Sequence, residues 1–310
     1  MTPYNLILNK YIQSLVSNVN KKNIPDEIDL CFDGGAFNGI FSLGIAQYIK
    51  KLEENKITTV KRISGVSIGA FIGIIYILNN SNINHDTFFE LMSVGFKNNL
   101  NLYHHKNIVN KFIYEYFLDD DMTILNNKLY ISYYDLKYKK HTTISKYKNR
   151  KHLIECLLRS SFIPYLMNGK SKYKNRYIDG IYPYFFNDND KNGSQLFIKL
   201  ITCDKVFRSV KINMEQNAQS RILDGIIDAN IFFTYGKSDM CHYVNNDPLY
   251  YKLEYFIRTN TVLLFLKIIE ITIICYSYVP LCLKYKFYNK KIYDKMFELF
   301  IVLIETYLFY

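Results

Sequence analysis

Three short stretches of the chain combine the residue types that acyl-transfer chemistry needs. The first is Gly65-Val66-Ser67-Ile68-Gly69, a G-x-S-x-G lying between two apolar runs. A serine becomes a usable nucleophile when a tight turn lifts its hydroxyl clear of the backbone, and small neighbours such as Gly65 and Gly69 permit that turn. A helix starting just after the serine points its positive end at the site and favours the negative charge that develops there. The second stretch is Asp33-Gly34-Gly35-Ala36-Phe37-Asn38-Gly39. Acyl transfer places charge on a carbonyl oxygen, and a glycine-rich turn at the start of a helix supplies backbone N–H groups, here those of Gly34, Gly35 and Ala36, that would form an oxyanion hole for it. The spacing is neither G-x-G-x-x-G nor G-x-x-x-x-G-K-[ST], which disfavours a nucleotide phosphate loop. The third is Tyr177-Ile178-Asp179-Gly180. Read alone it is an ordinary Asp-Gly turn. Beside an activated serine, its carboxylate would be a general base working with no histidine between.

Elements able to hold these residues follow from the apolar periodicity. Residues 27–32 read as a strand carrying Ile28, Leu30 and Phe32, broken by Asp33-Gly34-Gly35. A helix is expected over 38–54, with Phe41, Ile45, Tyr48 and Leu52 on one face. Residues 60–63 read as a second strand, and 68–78, apolar or Gly almost throughout, as a buried helix. Strand, helix, strand, helix is the opening of an α/β sheet with parallel neighbours. Further on we expect helices within 85–118, strands at 128–138 and 140–145, and a helix at 151–160. A short strand at 176–178 ends at Asp179, another strand covers 195–202, and 216–243 is mostly helical. The organisation expected is a lead-in over 1–26, one domain over 27–250 and an apolar and basic helical region over 251–310.

In this order and spacing the three motifs resemble the patatin-like phospholipase family. The resemblance covers about residues 27–205 and includes Ser160-Ser161-Phe162-Ile163-Pro164, similar to the small-residue and proline segment that precedes the family's aspartate strand. It implies a three-layer α/β/α fold with a mainly parallel central sheet, here with a helical C-terminal extension. It also implies a phospholipase A-type lipid acyl hydrolase with Ser67 as nucleophile, Asp179 as its partner and an acyl-enzyme intermediate. No cofactor or metal is implied, and the substrate is a phospholipid or another acyl lipid. The family's loop reads G-G-G-x-[KR]-G, so Ala36 and Asn38 depart from it, as does Ile181, where Gly or Ala is expected. If position 36 needs a positive φ, Ala36 is strained by about 1 kcal/mol. A catalytically impaired lipid-binding relative is therefore the alternative.

An α/β-hydrolase triad Ser67, Asp179, His242 would fit the order along the chain. In that fold the nucleophile follows the fifth strand, whereas Ser67 follows the second. His242, in Met240-Cys241-His242-Tyr243, is expected outside a strand-and-loop setting and reads as a surface or packed side chain. His104 and His105 lack partners at metal-ligand spacing and read as structural.

The formal net charge of +11 draws the chain toward anionic surfaces. Its basic stretches, 137–151, 170–176 and 284–295, are interleaved with tyrosines and read as solvated faces or a membrane-attracting surface, not as a nucleic-acid site. None of the six cysteines forms a C-x-x-C pair, which points to a reducing compartment without disulfides or zinc. The N-terminus lacks the pattern of a signal peptide, so an intracellular, cytoplasmic or peripheral-membrane location is expected. Residues 261–283 are apolar over nearly the 20 or so residues of a span, but Lys267 and Glu270 would be costly at a bilayer centre. We expect them, with 284–295 and the apolar run 296–310, to dock on the domain or lie in a membrane interface.

Overall fold

A computed structural model of the chain describes residues 3–78, 102, 104–117, 122–165, 167–186, 194–201, 218–244 and 248–278. The helices are α1 (Pro3–Val16), α2 (Gly39–Glu54), α3 (Ile68–Leu78), α4 (His105–Tyr116), α5 (Arg150–Ser160), α6 (Ala218–Tyr235) and α7 (Pro248–Ser277). The strands are β1 (Glu27–Phe32), β2 (Thr59–Val66), β3 (Leu129–Asp135), β4 (Lys140–Ile144), β5 (Tyr177–Asp179), β6 (Ser194–Ile198) and β7 (Cys241–Tyr243).

They form one sheet in the order β4-β3-β2-β1-β6-β7, with β5 also on β3. β3, β2, β1 and β6 are mutually parallel, while β4, β5 and β7 pair antiparallel. Strand alternation distributes the core. Ile28, Leu30 and Phe32 of β1, with Leu196 and Ile198 of β6, point to the side covered by α1–α6. Cys31 and Phe197, one residue out of step, point to the other side, where Tyr182, Phe186 and Tyr251 of α7 meet them. Helices therefore lie on both faces of the sheet, the three-layer α/β/α arrangement. The lead-in is part of the larger core, because Leu8, Ile12 and Val16 recur every four residues on α1 and are all buried.

Two expectations need correction. β2 runs three residues beyond 60–63. Ser64, Gly65 and Val66 look like a turn, but they keep register with Cys31 and Phe32 on one side and with Tyr130, Ile131 and Ser132 on the other. Residues 241–243, expected within a helix, are strand β7. Gly236, at φ 81, ends α6, and the Asp228 carboxylate then takes the amides of Asp239 and Met240, which turns the chain back. His242 therefore does sit on a strand, paired with Phe197. That strand is three lanes from β2, about 14 Å at the usual strand spacing. Cys31, Cys156, Cys241 and Cys275 are free thiols. Cys203, Cys282, residues 85–101 of the helical stretch expected over 85–118, the basic stretch 284–295 and the apolar run 296–310 lie outside the described residues.

Candidate active site

The sheet brings Ser67 and Asp179 together end to end. β4 occupies one edge of β3, so β2 and β5 share the other. β2 advances along that edge until Val66 stands opposite Ser132. β5 advances from the opposite direction until Asp179 stands opposite Tyr133, the next residue along. Ser67 leaves the end of β2 where Asp179 arrives at the end of β5. β1 stops level with them, since Phe32 pairs with Gly65, and residues 33–39 leave from there. The carboxyl ends of parallel strands, where the strand order reverses, are where open α/β sheets bind ligands.

Ser67 has a φ of 53°, in the left-handed region that costs a non-glycine residue about 1–2 kcal/mol. Three contacts hold it there. Its N–H donates to Ser160 Oγ at 2.9 Å. Its C=O accepts the Ala70 N–H at 3.1 Å as α3 begins. Gly69 lets α3 press on the end of β1, because a Cβ there would lie 2.5 Å from the Phe32 carbonyl oxygen. The side chain is buried, and its hydroxyl stands near enough to Asp179 to favour the carboxylate form.

Asp179 is fixed from both sides. Its N–H donates to Phe162 O at 3.0 Å, and its Oδ1 accepts the Ile181 N–H at 2.9 Å. Burial pushes its carboxyl up to about 6, against the pull of the Ile181 amide, the Ser67 hydroxyl and the Arg258 charge, while Asp33 adds to the rise. The segment Ser160-Ser161-Phe162 thus serves both residues, through Ser160 to Ser67 and through Phe162 to Asp179. Gly180 follows, its N–H donating to Ser160 O at 3.4 Å.

In the glycine-rich loop, Gly34 packs against Ser67, and the turn Ala36–Asn38 leads into α2 at Gly39. Ala36 does take a positive φ, 45°, so the strain foreseen for it, about 1 kcal/mol, is present. Asn38, standing where a basic residue was expected, donates from Nδ2 to Leu200 O at 3.3 Å. A positive charge still reaches the loop. The buried Arg221 on α6 donates from Nη1 to Phe37 O at 3.4 Å and to Asn38 Oδ1 at 3.3 Å. Ile181 has φ 65°, unusual for a β-branched residue. Its side chain packs with Tyr134 and Ile178 under Val262, Leu263 and Leu266 of α7. Burying it there returns roughly 1.5–3 kcal/mol, enough to offset the backbone cost.

An apolar cavity opens beside Ser67, lined by Phe37, Phe71, Leu102, Ile163 and Met167. Its polar groups are Ser161 and His105, whose Nε2 lies 2.7 Å from Ser161 Oγ. Burial pushes His105 down to about 4, so at neutral pH it lines the cavity uncharged. Sequence reasoning took His105 for structural, and its spacing from the motifs carries no sign of the cavity. Arg258, whose guanidinium faces Asp33, was also missed. Its signal was a single charge at the start of a long apolar run.

A family model described as Patatin, patatin-like phospholipase, matches residues 30–184, half of the chain. The match runs from β1 to just past β5 and contains all three motifs. No curated protein matches the sequence significantly.

Proposed function

The chain belongs to the patatin-like phospholipase family, and from that membership we propose that it cleaves fatty-acyl esters of phospholipid or another acyl lipid with Ser67 and Asp179 as a catalytic dyad. The observation that carries the reading is that the ends of β2 and β5 bring Ser67 beside a carboxylate whose burial raises it to about 6. Such a group is ionised at neutral pH and is a stronger base than an ordinary aspartate. In the first half-reaction Asp179 takes the Ser67 proton as Oγ attacks the ester carbonyl carbon. The N–H groups of Gly34, Gly35 and Ala36, with the start of α3, stabilise the oxyanion. The tetrahedral species collapses, and Asp179 returns the proton to the departing alcohol or lysolipid. In the second half-reaction Asp179 deprotonates a water, which attacks the acyl-enzyme; fatty acid leaves and Ser67 regains its proton. The lining of the cavity beside Ser67 is apolar, the character an acyl chain requires.

Labelling with a fluorophosphonate, with the modified peptide mapped by mass spectrometry, tests this. We expect modification at Ser67, at a rate that rises with pH through about 6 because only the carboxylate form of Asp179 accepts the proton. Modification elsewhere, or none, removes the dyad. It would favour the impaired lipid-binding alternative, to which the strained Ala36 and Ile181 lend weight.

The reading extends to a lipid surface in a reducing compartment. Among the described residues no helix is long and apolar enough to cross a membrane. α7 nevertheless exposes Leu253, Phe256, Leu264, Phe265, Ile268 and Ile271. We propose that this face rests on a bilayer, with residues 284–295 contacting anionic headgroups. Phe256→Glu with Leu264→Glu is expected to abolish co-flotation with anionic vesicles; co-flotation at the wild-type level would exclude this face.

A further inference from the structure

Asp33 is the residue from which the glycine-rich loop departs, and it is completely buried. Its Oδ2 accepts the N–H groups of Leu200 at 3.2 Å and Ile201 at 3.4 Å, together with Arg258 Nη1 at 3.1 Å. Its Oδ1 takes no hydrogen bond among the described residues and is faced by Arg258 Nη2 at 3.0 Å. A buried carboxylate in this state depends on the guanidinium to stay charged and in place. Arg258 is itself enclosed, over the ring of Tyr182 at 5.4 Å.

The helix that supplies Arg258 reaches the other half of the site as well. One turn further along α7, Val262, Leu263 and Leu266 press on Ile178 and Ile181, the residues on either side of Asp179-Gly180. Ion pairs Lys199–Glu254 at 2.8 Å and Lys172–Glu270 at 3.0 Å bracket these contacts. A single helix therefore touches the start of the oxyanion loop and the strand that delivers the base.

We propose that Arg258 is a positioning residue of the active site, holding the oxyanion loop through its fork onto Asp33, and that α7 is thereby part of the catalytic unit although it lies outside residues 30–184. The positioning role rests on the lipid-hydrolase reading, whereas the anchoring of the loop does not. The charged groups that face Asp179 are Asp33 and Arg258. Removing the guanidinium leaves Asp179 without its nearby positive charge and Asp33 without its counter-ion.

The test compares Arg258→Met and Arg258→Lys with wild type in the full chain, by amide hydrogen exchange and by fluorophosphonate labelling across pH. In Arg258→Met, exchange at residues 34–39 and 200–201 should quicken at least about ten-fold while β1 and β2 stay protected, the mark of local rather than global opening. Labelling of Ser67 should slow by about 10²-fold, and its rise with pH should move to higher pH, a change that simple loosening does not produce. Arg258→Lys, which keeps the charge but loses the fork, should fall between. Wild-type exchange at 34–39 in a folded Arg258→Met overturns the proposal, and so does wild-type labelling with an unmoved pH profile. If Arg258→Met does not fold, Arg258→Lys decides on the same readouts, and wild-type values there overturn it. A wild-type chain that takes no label sinks the hydrolase reading alone, since exchange still reports whether Arg258 anchors the loop.

Discussion

Ser67→Ala will leave a folded protein that releases fatty acid from lipid vesicles about 10⁴-fold or more slowly than wild type. The size follows from what is removed. Without Oγ no acyl-enzyme forms, and turnover falls to what an oxyanion hole and a positioned water achieve unaided. Little is taken from the fold. Alanine meets the same backbone cost at φ 53° that serine already bears, and the contacts that fix the turn, Ser67 N–H to Ser160 and Ser67 C=O to Ala70, belong to the main chain. Release measured by titrating free fatty acid, beside a thermal melt, reads both quantities. Activity within ten-fold of wild type would transfer the nucleophile to another residue.

Asp179→Asn should cost a comparable factor in rate and, unlike most substitutions of a buried residue, should stabilise the chain. The folded-state carboxyl titrates near 6, above its ordinary 3.8. The folded protein therefore binds this proton more tightly than the unfolded one does. Its contribution to stability is full below about pH 4 and is lost as pH rises through about 6. A shift of this size amounts to about 3 kcal/mol at pH 8. Asparagine carries no charge at any of these pH values and keeps an oxygen for the Ile181 N–H. Urea unfolding at about pH 8 should then show the variant more stable, with the gap closing toward about pH 4. A variant less stable than wild type at pH 8 would mean that the groups favouring the carboxylate, the Ile181 amide first among them, outweigh its desolvation. Strain or unsolvated charge held at a working site is a common origin of such a trade between stability and activity.

The parts of this architecture that were legible in the sequence are those set by local pattern. β1 and α3 fall on the residues their apolar runs marked, because Asp33-Gly34-Gly35 stops one and Ser67 opens the other. Membership of the family followed from three motifs in order, and the match over 30–184 agrees with it. What could not be read came from lateral partners. The last residues of β2 are strand only because β1 and β3 flank them. β7 was hidden by a helical composition that Gly236 and Asp228 overrule. Arg221, His105 and Arg258 approach the motifs from elements distant along the chain. Ala36 and Ile181 stood out as departures, but the packing of Ile181 beneath α7 became visible only in three dimensions.

The end-to-end meeting of β2 and β5 on one edge of β3 also bears on how the molecule matures. More than a hundred residues separate Ser67 from Asp179, so their approach is a long-range contact. Closing so long a loop is entropically costly and belongs late in folding, after helices and neighbouring strands have formed. Along β3 the gap between the two residues is set by strand rise, about 3.3 Å per residue. A slip of one position would move the pair apart by that distance and turn one side chain to the opposite face. With Ser67 and Asp179 as the proposed dyad, an intermediate with its secondary structure in place but β5 undocked would be catalytically silent until the native register is complete.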